Sequence, residues 1–348
     1  MKKIVITSLF LLSVVCLCAQ EKVKVLYVGN SYTYVNDLPT IISNIAASQN
    51  HNIVSTQFLT GGAMFQTHYN NQALIDTIKK GGFDIMVLQG QSQEVCFPPY
   101  QFQSQVYPYA KKLDSIFKAY NHNGKVIFYM TWGYRYGDAI NCQEYAPFCN
   151  YFSMSEEICN NYTTMANDFS SFVAPVGKAW QKSIIEDSNI VLHQSDNSHP
   201  TIKGSYLAAC VFYNTMFNDT VSSTFYSTLN QNDAQRMQRI ANYITRNNAS
   251  LPCNLNQTSS LNEMLQEDET TIWYERQNNM LNITINKVYE PTTAIIYDIN
   301  GKQMMKEKIL PNNNSIHTSI DVKKLKQGTY IIKVYSNNSF KTTKFIKY

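Results

Sequence analysis

The chain has 348 residues, with 29 Lys and Arg against 25 Asp and Glu, for a formal net charge of +4. Residues 21–269 hold 15 basic and 20 acidic residues (15 − 20 = −5), whereas residues 270–348 hold 12 and 5 (12 − 5 = +7). The acidic balance of the longer part argues against a nucleic-acid groove, so no nucleic-acid partner is expected, and the change of sign predicts a domain boundary.

The first 20 residues have the pattern of a secretory signal peptide. Lys2 and Lys3 precede the apolar run Ile4–Cys18, which ends in small or polar residues. This run is shorter than the roughly 20 apolar residues that span a bilayer, and no later stretch is apolar for long enough. We therefore predict a signal peptide at 1–20 and an exported mature chain without a transmembrane segment.

Strand and helix patterns alternate through residues 21–253, which we predict to form one α/β domain. The predicted strands are Val23–Val28, Asn52–Leu59, Asp84–Leu88, Lys125–Thr131 and Ser171–Val176. The predicted helices begin near Pro39 and then cover Asn71–Lys80, Tyr107–Tyr120, Ser155–Phe169, Lys178–Ile185 and Ile202–Met216. This alternation is typical of a doubly wound parallel sheet, in which ligands bind beyond the carboxyl ends of the strands.

The C-terminal part has a different pattern. Residues 254–269 are polar and predict a linker. Residues 270–348 contain short alternating strands joined by Gly and Asn turns, which predict a small all-β sandwich of about 75 residues. The predicted strands are Met280–Ile285, Ala294–Gly301, Ser315–Ile320, Thr329–Tyr335 and Phe340–Ile346.

Six cysteines lie beyond the predicted signal peptide: Cys96, Cys142, Cys149, Cys159, Cys210 and Cys253. An oxidising compartment favours one or two disulfides, with Cys142 and Cys149 as the nearest pair and the connectivity left open. The segment Asn141–Asn160 breaks the periodicity and predicts an insertion or loop. The motifs CxxC and HExxH are absent and the six His residues are scattered, so neither a metal nor a cofactor is expected.

Three residues predict a nucleophilic site. A serine hydroxyl attacks an acyl group only when a base removes its proton and an acid orients that base. Ser31 follows the first strand in a tight Gly-Asn-Ser turn, and Asp196 and His199 stand three residues apart near the end of the same domain. We predict Ser31 as the nucleophile, His199 as the base and Asp196 as the orienting acid.

The same site needs donors for the negative charge that develops on the carbonyl oxygen. The candidates for this oxyanion hole are the backbone N–H groups of Ser31 and Gly62 and the side-chain amide of Gln89 or Gln91. Each of these motifs alone is more often a plain turn, helix cap or polar loop. Their joint occurrence at the ends of successive predicted strands favours a single site.

These residues carry a resemblance to the SGNH (GDSL-like) hydrolase superfamily over roughly residues 22–250. The matching blocks are Gly29-Asn30-Ser31, Gly62, Gln89-Gly90-Gln91 and Asp196-x-x-His199-Pro200, with details similar to a subfamily of unassigned function found largely in the Bacteroidota. The resemblance implies a flavodoxin-like α/β/α sandwich and metal-free ester hydrolysis, often deacetylation of carbohydrates. Asn30 stands where the superfamily usually has Asp. The Asn that the superfamily usually has in its third block has no unambiguous counterpart in Gln89-Gly90-Gln91. Carbohydrate acetylesterases of the superfamily have a similar Gln-Gly-Glu block, which favours Gln89 for this role.

The C-terminal segment resembles the type A sorting domain of the type IX secretion system. The resemblance rests on the motifs Ile296–Lys302, Leu325–Val334 and Lys344–Tyr348. It implies recognition by the secretion machinery, passage through the periplasm and outer membrane, and release or surface attachment with removal of the tail. The alternative is a small carbohydrate-binding or adhesion sandwich.

The favoured hypothesis is a secreted serine esterase that hydrolyses acyl, and in particular acetyl, esters on carbohydrate through an acyl-enzyme. One alternative is a surface glycan-binding protein on an inactive scaffold, because the chain has 24 Tyr and 17 Phe, many of them within Tyr100–Tyr109 and Tyr134–Tyr151. Another alternative is an acyltransferase that passes the acyl group to a second sugar.

Overall fold

The computed structural model describes residues 22–257, 270–286, 291–299, 301–312, 315–335 and 340–347. The predicted signal peptide and residues 258–269 of the predicted linker lie outside these ranges. The chain divides into two compact units, with the division between Asn256 and Gln257. Across the described ranges, no helix combines the length and the apolar character needed to cross a membrane.

A five-stranded parallel sheet forms the centre of the first unit, which confirms the predicted doubly wound architecture. Its strands are β1 (Lys22–Gly29), β2 (Asn52–Leu59), β3 (Ile85–Leu88), β4 (Lys125–Tyr129) and β5 (Phe172–Ala174), in the order β2-β1-β3-β4-β5. This is the strand order of flavodoxin-like folds. All four residues of β3 are buried, as expected for a central strand that is covered on both faces.

Helices cover the sheet, and the longer ones bury an apolar face. In chain order they are α1 (Ser31–Tyr34), α2 (Leu38–Ser48), α3 (Phe65–Tyr69), α4 (Gln72–Lys80), α5 (Ser92–Val95), α6 (Pro99–Gln101), α7 (Tyr107–Tyr120), α8 (Tyr151–Phe169), α9 (Val176–Glu186), α10 (Ile202–Phe217) and α11 (Gln231–Asn247). Helix α10 is buried over most of its length and packs against α2, α9 and α11. It therefore belongs to the core rather than to the surface.

The short helices α1, α3, α5 and α6 were not predicted, and two longer helices also differ from the prediction. Helix α8 begins at Tyr151 rather than Ser155, because the Asn150 side chain caps it by accepting a hydrogen bond from the Ser153 N–H at 3.0 Å. Helix α11 was not predicted, since it is polar on most of its surface. Its buried residues nevertheless recur at helical spacing, which is the signal that would have found it: Ala234, Met237, Gln238, Ile240, Ala241 and Ile244.

Two disulfides cross-link the first unit. Cys142 and Cys149, the nearest pair in sequence, close the loop that precedes α8. A second bond joins Cys159 on α8 to Cys253, 94 residues further along the chain, and thereby ties the end of the unit to one of its core helices. This second pairing was left open by the sequence, because only the three-dimensional fold brings the two residues together.

The second unit is the predicted β-sandwich, with sheets ordered β10-β7-β6 and β12-β11-β8-β9. Its strands are β6 (Thr270–Glu275), β7 (Met280–Asn286), β8 (Thr292–Asp298), β9 (Gln303–Ile309), β10 (Ser315–Asp321), β11 (Gly328–Tyr335) and β12 (Phe340–Lys347). Alternate residues such as Leu281, Ile283 and Ile332 point into one apolar core. Strands β6 and β9 were not predicted; β9 is largely exposed and lacks a buried alternating face.

Candidate active site

The Ser31 side chain lies immediately after β1, at the first residue of α1. Asn30 caps this short helix, since its Oδ1 atom accepts a hydrogen bond from the Tyr32 N–H at 3.1 Å. Gly29 must lack a side chain, because a Cβ atom there would lie 2.6 Å from Gln89 Oε1 and 2.7 Å from Thr33 Oγ1. The turn thus presents the half-buried Ser31 hydroxyl at the carboxyl end of β1.

A hydrogen-bonded relay joins Ser31, His199 and Asp196. His199 Nε2 lies 2.8 Å from Ser31 Oγ, and His199 Nδ1 lies 2.5 Å from Asp196 Oδ2. The other carboxylate oxygen, Asp196 Oδ1, accepts hydrogen bonds from the Ser198 and His199 N–H groups, each at 3.0 Å. The carboxylate is therefore fixed both to the imidazole and to the backbone of the loop that carries the imidazole.

The Asp196 carboxyl is held in its charged form. Partial burial raises its pKa, but hydrogen bonds from the Ser198 N–H, the His199 ring and the His199 N–H outweigh burial and lower the pKa below its usual range. An ionised Asp196 fixes the proton on Nδ1 of His199, which leaves Nε2 free to accept the Ser31 proton.

The lowered pKa of Asp196 predicts how the relay responds to acid. The ionised carboxylate that orients His199 is retained through the usual pKa range of an aspartate and is lost only as the pH falls through the lowered pKa of Asp196. The kcat/KM for 4-nitrophenyl acetate, from initial rates corrected for spontaneous hydrolysis, is therefore expected to show no inflection caused by Asp196 at the usual aspartate pKa of about 3.9. An inflection there that Asp196→Asn removes would contradict the ionised state of Asp196.

An aromatic stack supports the loop that carries His199. Tyr32 stacks on Trp132 with ring centroids 4.7 Å apart, and Trp132 stacks on Trp180 at 3.6 Å. Trp132 Nε1 donates to the Ser198 carbonyl oxygen at 3.1 Å, and the Tyr32 hydroxyl lies 2.6 Å from Ser198 Oγ. Sequence reasoning gave none of these rings a role in the site, although Tyr32 follows the nucleophile directly.

Gly62 lies in the loop between β2 and α3, next to the Ser31 turn. The Thr60 N–H donates to the Gly29 carbonyl oxygen at 3.1 Å, and Asn30 Nδ2 donates to the Ala63 carbonyl oxygen at 3.2 Å. Gly62 has a φ of +66°, a conformation that favours glycine. Within the described residues neither the Ser31 N–H nor the Gly62 N–H has a hydrogen-bond partner, so both are free to bind an oxyanion.

Gln89 also reaches the Ser31 turn, but its amide is fully occupied. The side chain is completely buried; Oε1 accepts from the Asn30 N–H at 2.9 Å, and Nε2 donates to Asn30 Oδ1 at 2.7 Å and to the Gly90 carbonyl oxygen at 2.8 Å. Both N–H bonds of Gln89 are thus committed to holding the turn. Gln91 Nε2 donates to Gln93 Oε1 at 2.7 Å, and the Gln91 side chain also hydrogen-bonds to the Tyr134 hydroxyl, so its amide is engaged as well.

Neither a reactive thiol nor a cluster of metal ligands is found in the described part of the chain. Its two free thiols, Cys96 and Cys210, are buried, and burial raises the pKa of both, which keeps them protonated. No group of three or more His, Cys, Asp or Glu side chains within these residues could hold a metal ion. Ser31 combines an accessible hydroxyl with a histidine that is itself hydrogen-bonded to a carboxylate.

Residues 277–348 match the family model described as a secretion system C-terminal sorting domain. The predicted sorting domain is thus confirmed, and it indicates export through the type IX secretion system to the cell surface or beyond. A comparison with curated protein sequences returned no match.

Comparison with solved structures returns a similarity of fold, and GDSL-like proteins are among the matches. A DUF4886 family protein from Bacteroides uniformis aligns with a TM-score of 0.55 at 15% identity, over 69% of this chain and 100% of its own. A putative GDSL-like lipase from Parabacteroides merdae aligns with a TM-score of 0.43 at 12% identity, over 57% of this chain and 98% of its own. A carbohydrate esterase family 3 protein from Talaromyces cellulolyticus aligns with a TM-score of 0.40 at 14% identity, over 56% of this chain and 97% of its own.

Proposed function

We propose that this protein is an exported serine esterase that hydrolyses acyl, and in particular acetyl, esters on carbohydrate. The observation that carries the proposal is the relay from Asp196 through His199 to Ser31, with contacts of 2.5 and 2.8 Å. A nucleophile, a base and an orienting acid in hydrogen-bond contact are the requirements for attack on an acyl carbon.

In the proposed acylation step, Ser31 Oγ attacks the ester carbonyl carbon while its proton passes to His199 Nε2. The carbonyl oxygen becomes an oxyanion, which accepts hydrogen bonds from the Ser31 and Gly62 N–H groups. Collapse of this intermediate breaks the bond to the sugar oxygen, which takes the proton from His199 and leaves as an alcohol. Ser31 then carries the acyl group.

Deacylation repeats these steps with water as the attacking group. Water loses a proton to His199 and attacks the acyl carbon, and collapse returns that proton to Ser31 Oγ and releases the carboxylic acid. The His199 side chain is 32% exposed, so solvent water has direct access to the base. This exposure favours hydrolysis over transfer to a second sugar.

Exposed aromatic rings beside the relay support a carbohydrate substrate. Tyr34 is 46% exposed, and its hydroxyl lies 3.1 Å from the position that a Cβ atom of Gly61 would take. Tyr136 is 67% exposed, and the preceding Arg135 N–H donates to the Asn197 carbonyl oxygen at 2.9 Å, within the loop that carries His199. The Arg135 guanidinium lies over the Tyr136 ring at 5.3 Å, so Tyr34 and the opposite face of Tyr136 are the candidate surfaces for a sugar ring.

A screen of acetate release tests the proposal. Acetylated polysaccharides such as acetyl-xylan, acetylated pectin and acetylated glucomannan would be incubated with the mature protein and, in parallel, with Ser31→Ala. The expected result is acetate release from at least one polymer by the unmodified protein only. Equal release by both proteins would overturn the proposal, and release of acyl groups from lipid or aryl esters alone would overturn its carbohydrate part.

A further inference from the structure

Glu94 is a buried carboxyl group that the relay does not use. It lies in α5, directly after the Gln89-Gly90-Gln91 turn, and its side chain is 1% exposed. Burial raises its pKa to about 8, even though hydrogen bonds from the Phe65 and Gln91 N–H groups lower it. Burying a carboxyl group to this extent without a cationic partner costs free energy of folding, so the contacts of Glu94 call for an explanation.

One oxygen of Glu94 joins two separate loops. Oε1 accepts a hydrogen bond from the Phe65 N–H at 3.0 Å and a second from the Gln91 N–H, also at 3.0 Å. Phe65 is the first residue of α3 and follows the Gly62 loop by three positions, while Gln91 lies at the end of the β3 turn. Glu94 therefore fixes the spacing between the two loops that hold the candidate oxyanion donors.

The packing around this contact leaves little freedom. A Cβ atom at Gly90 would lie 2.6 Å from the Phe65 ring and 2.7 Å from Glu94 Oε1, so only glycine allows the approach. On the opposite side, the Gly62 loop is held to the Ser31 turn through Ala63 and Thr60. The Gly62 loop is thus held from two directions, by the Ser31 turn and by Glu94.

We propose that Glu94 is a positioning residue that sets the Gly62 N–H at the distance from Ser31 at which an oxyanion can bind. The proposal rests on the proposed function, because it concerns the oxyanion hole of the same site. Removal of one oxyanion-hole donor lowers kcat by about 10²–10³-fold in known hydrolases, so displacement of the Gly62 N–H is expected to lower kcat as well. Substrate binding in the ground state does not need the donor in place, so KM is expected to change little.

Three variants of the mature protein test this role. Glu94→Gln keeps an acceptor oxygen in the same place and is expected to retain kcat for 4-nitrophenyl acetate within about threefold. Glu94→Ala removes the acceptor and is expected to lower kcat by about 10–100-fold while KM changes less than twofold. Glu94→Met keeps the length of the side chain without the acceptor, and it replaces the alanine variant if that variant does not fold.

Asp114→Ala provides the matched control. Asp114, in α7, is also a buried carboxyl group and is 3% exposed. Its partners are Lys118 and Ser171 rather than the loops around Ser31. Its replacement is expected to lower the melting temperature without changing kcat. Similar losses of kcat in the Asp114 and Glu94 variants would show that Glu94 acts only through the overall stability of the fold, which would overturn the proposal.

Hydrogen exchange separates this proposal from the proposed function. Peptides covering residues 60–66 and 89–92 are expected to exchange faster in Glu94→Ala or Glu94→Met than in the unmodified protein and in Glu94→Gln. Unchanged exchange in these peptides would overturn the positioning role whether or not the protein hydrolyses esters. Faster exchange with no ester hydrolysis by the unmodified protein would instead remove the proposed function, and with it the oxyanion role of Glu94.

Discussion

Replacing Ser31 by alanine is expected to lower kcat for ester hydrolysis by roughly 10⁴-fold or more, because the acyl-enzyme can no longer form. The remaining rate would come from water attack on an ester held by the oxyanion donors. The Ser31 hydroxyl contacts His199 and belongs to the site rather than to the core, so the melting temperature is expected to stay close to that of the unmodified protein. Steady-state kinetics with 4-nitrophenyl acetate and a thermal melt measure both quantities.

Ser55→Ala is a suitable control for this experiment. Ser55 lies at an exposed position of β2 and is remote from the relay in the sheet. It is expected to leave kcat unchanged. If Ser31→Ala retained more than about one tenth of the activity, the measured hydrolysis would have another origin and the assigned nucleophile would be wrong.

Replacing Trp132 by alanine is expected to destabilise the first unit by about 3–5 kcal/mol, the usual cost of removing a buried aromatic side chain. Trp132 is fully buried between Tyr32 and Trp180 and also holds the Ser198 carbonyl oxygen. Trp132→Phe keeps most of the ring and loses the N–H donor, so a smaller loss of stability is expected, together with a drop in kcat of about tenfold as the His199 loop loosens. Urea unfolding and kinetics measure the two effects.

Trp180→Phe is the matched control for the lost donor. Trp180 is also fully buried in the same stack, but its Nε1–H has no hydrogen-bond partner within the described residues. The substitution removes a similar volume without breaking a hydrogen bond and is expected to keep kcat within about twofold. Equal losses of kcat in the two phenylalanine variants would contradict the role of the Trp132 N–H in holding the loop.

Local sequence patterns predicted the sheet and each of the two halves of the relay, because each of these depends on features that are close in sequence. The continuous apolar run at β3 is typical of a buried parallel strand, and the Gly-Asn-Ser turn follows β1 directly. Asp196 and His199 share one turn, so their three-residue spacing alone brings the carboxylate near the imidazole. The strand-end rule placed Ser31, Gly62 and Gln89 at one edge of the sheet, but it does not apply to Asp196 and His199, which lie between α9 and α10 rather than after a strand.

The features that were not predicted depend on contacts between residues far apart in sequence. Tyr32 and Trp132 meet only in the fold, as do Cys159 and Cys253. The side-chain amide of Gln89 has the right chemistry for an oxyanion donor, but Asn30 and the Gly90 carbonyl oxygen occupy both of its N–H bonds. Sequence identifies which groups can donate, whereas the folded structure decides which of them remain free.

Covalent labelling with a fluorophosphonate tests the central claim most directly, because it requires an activated serine and no knowledge of the natural substrate. The unmodified protein is expected to gain one adduct, which peptide mass spectrometry places on Ser31. Ser31→Ala and His199→Ala are expected to gain none under the same conditions. Absence of an adduct on Ser31 in the folded, unmodified protein, or labelling that does not depend on His199, would contradict the assignment of this site as a serine esterase.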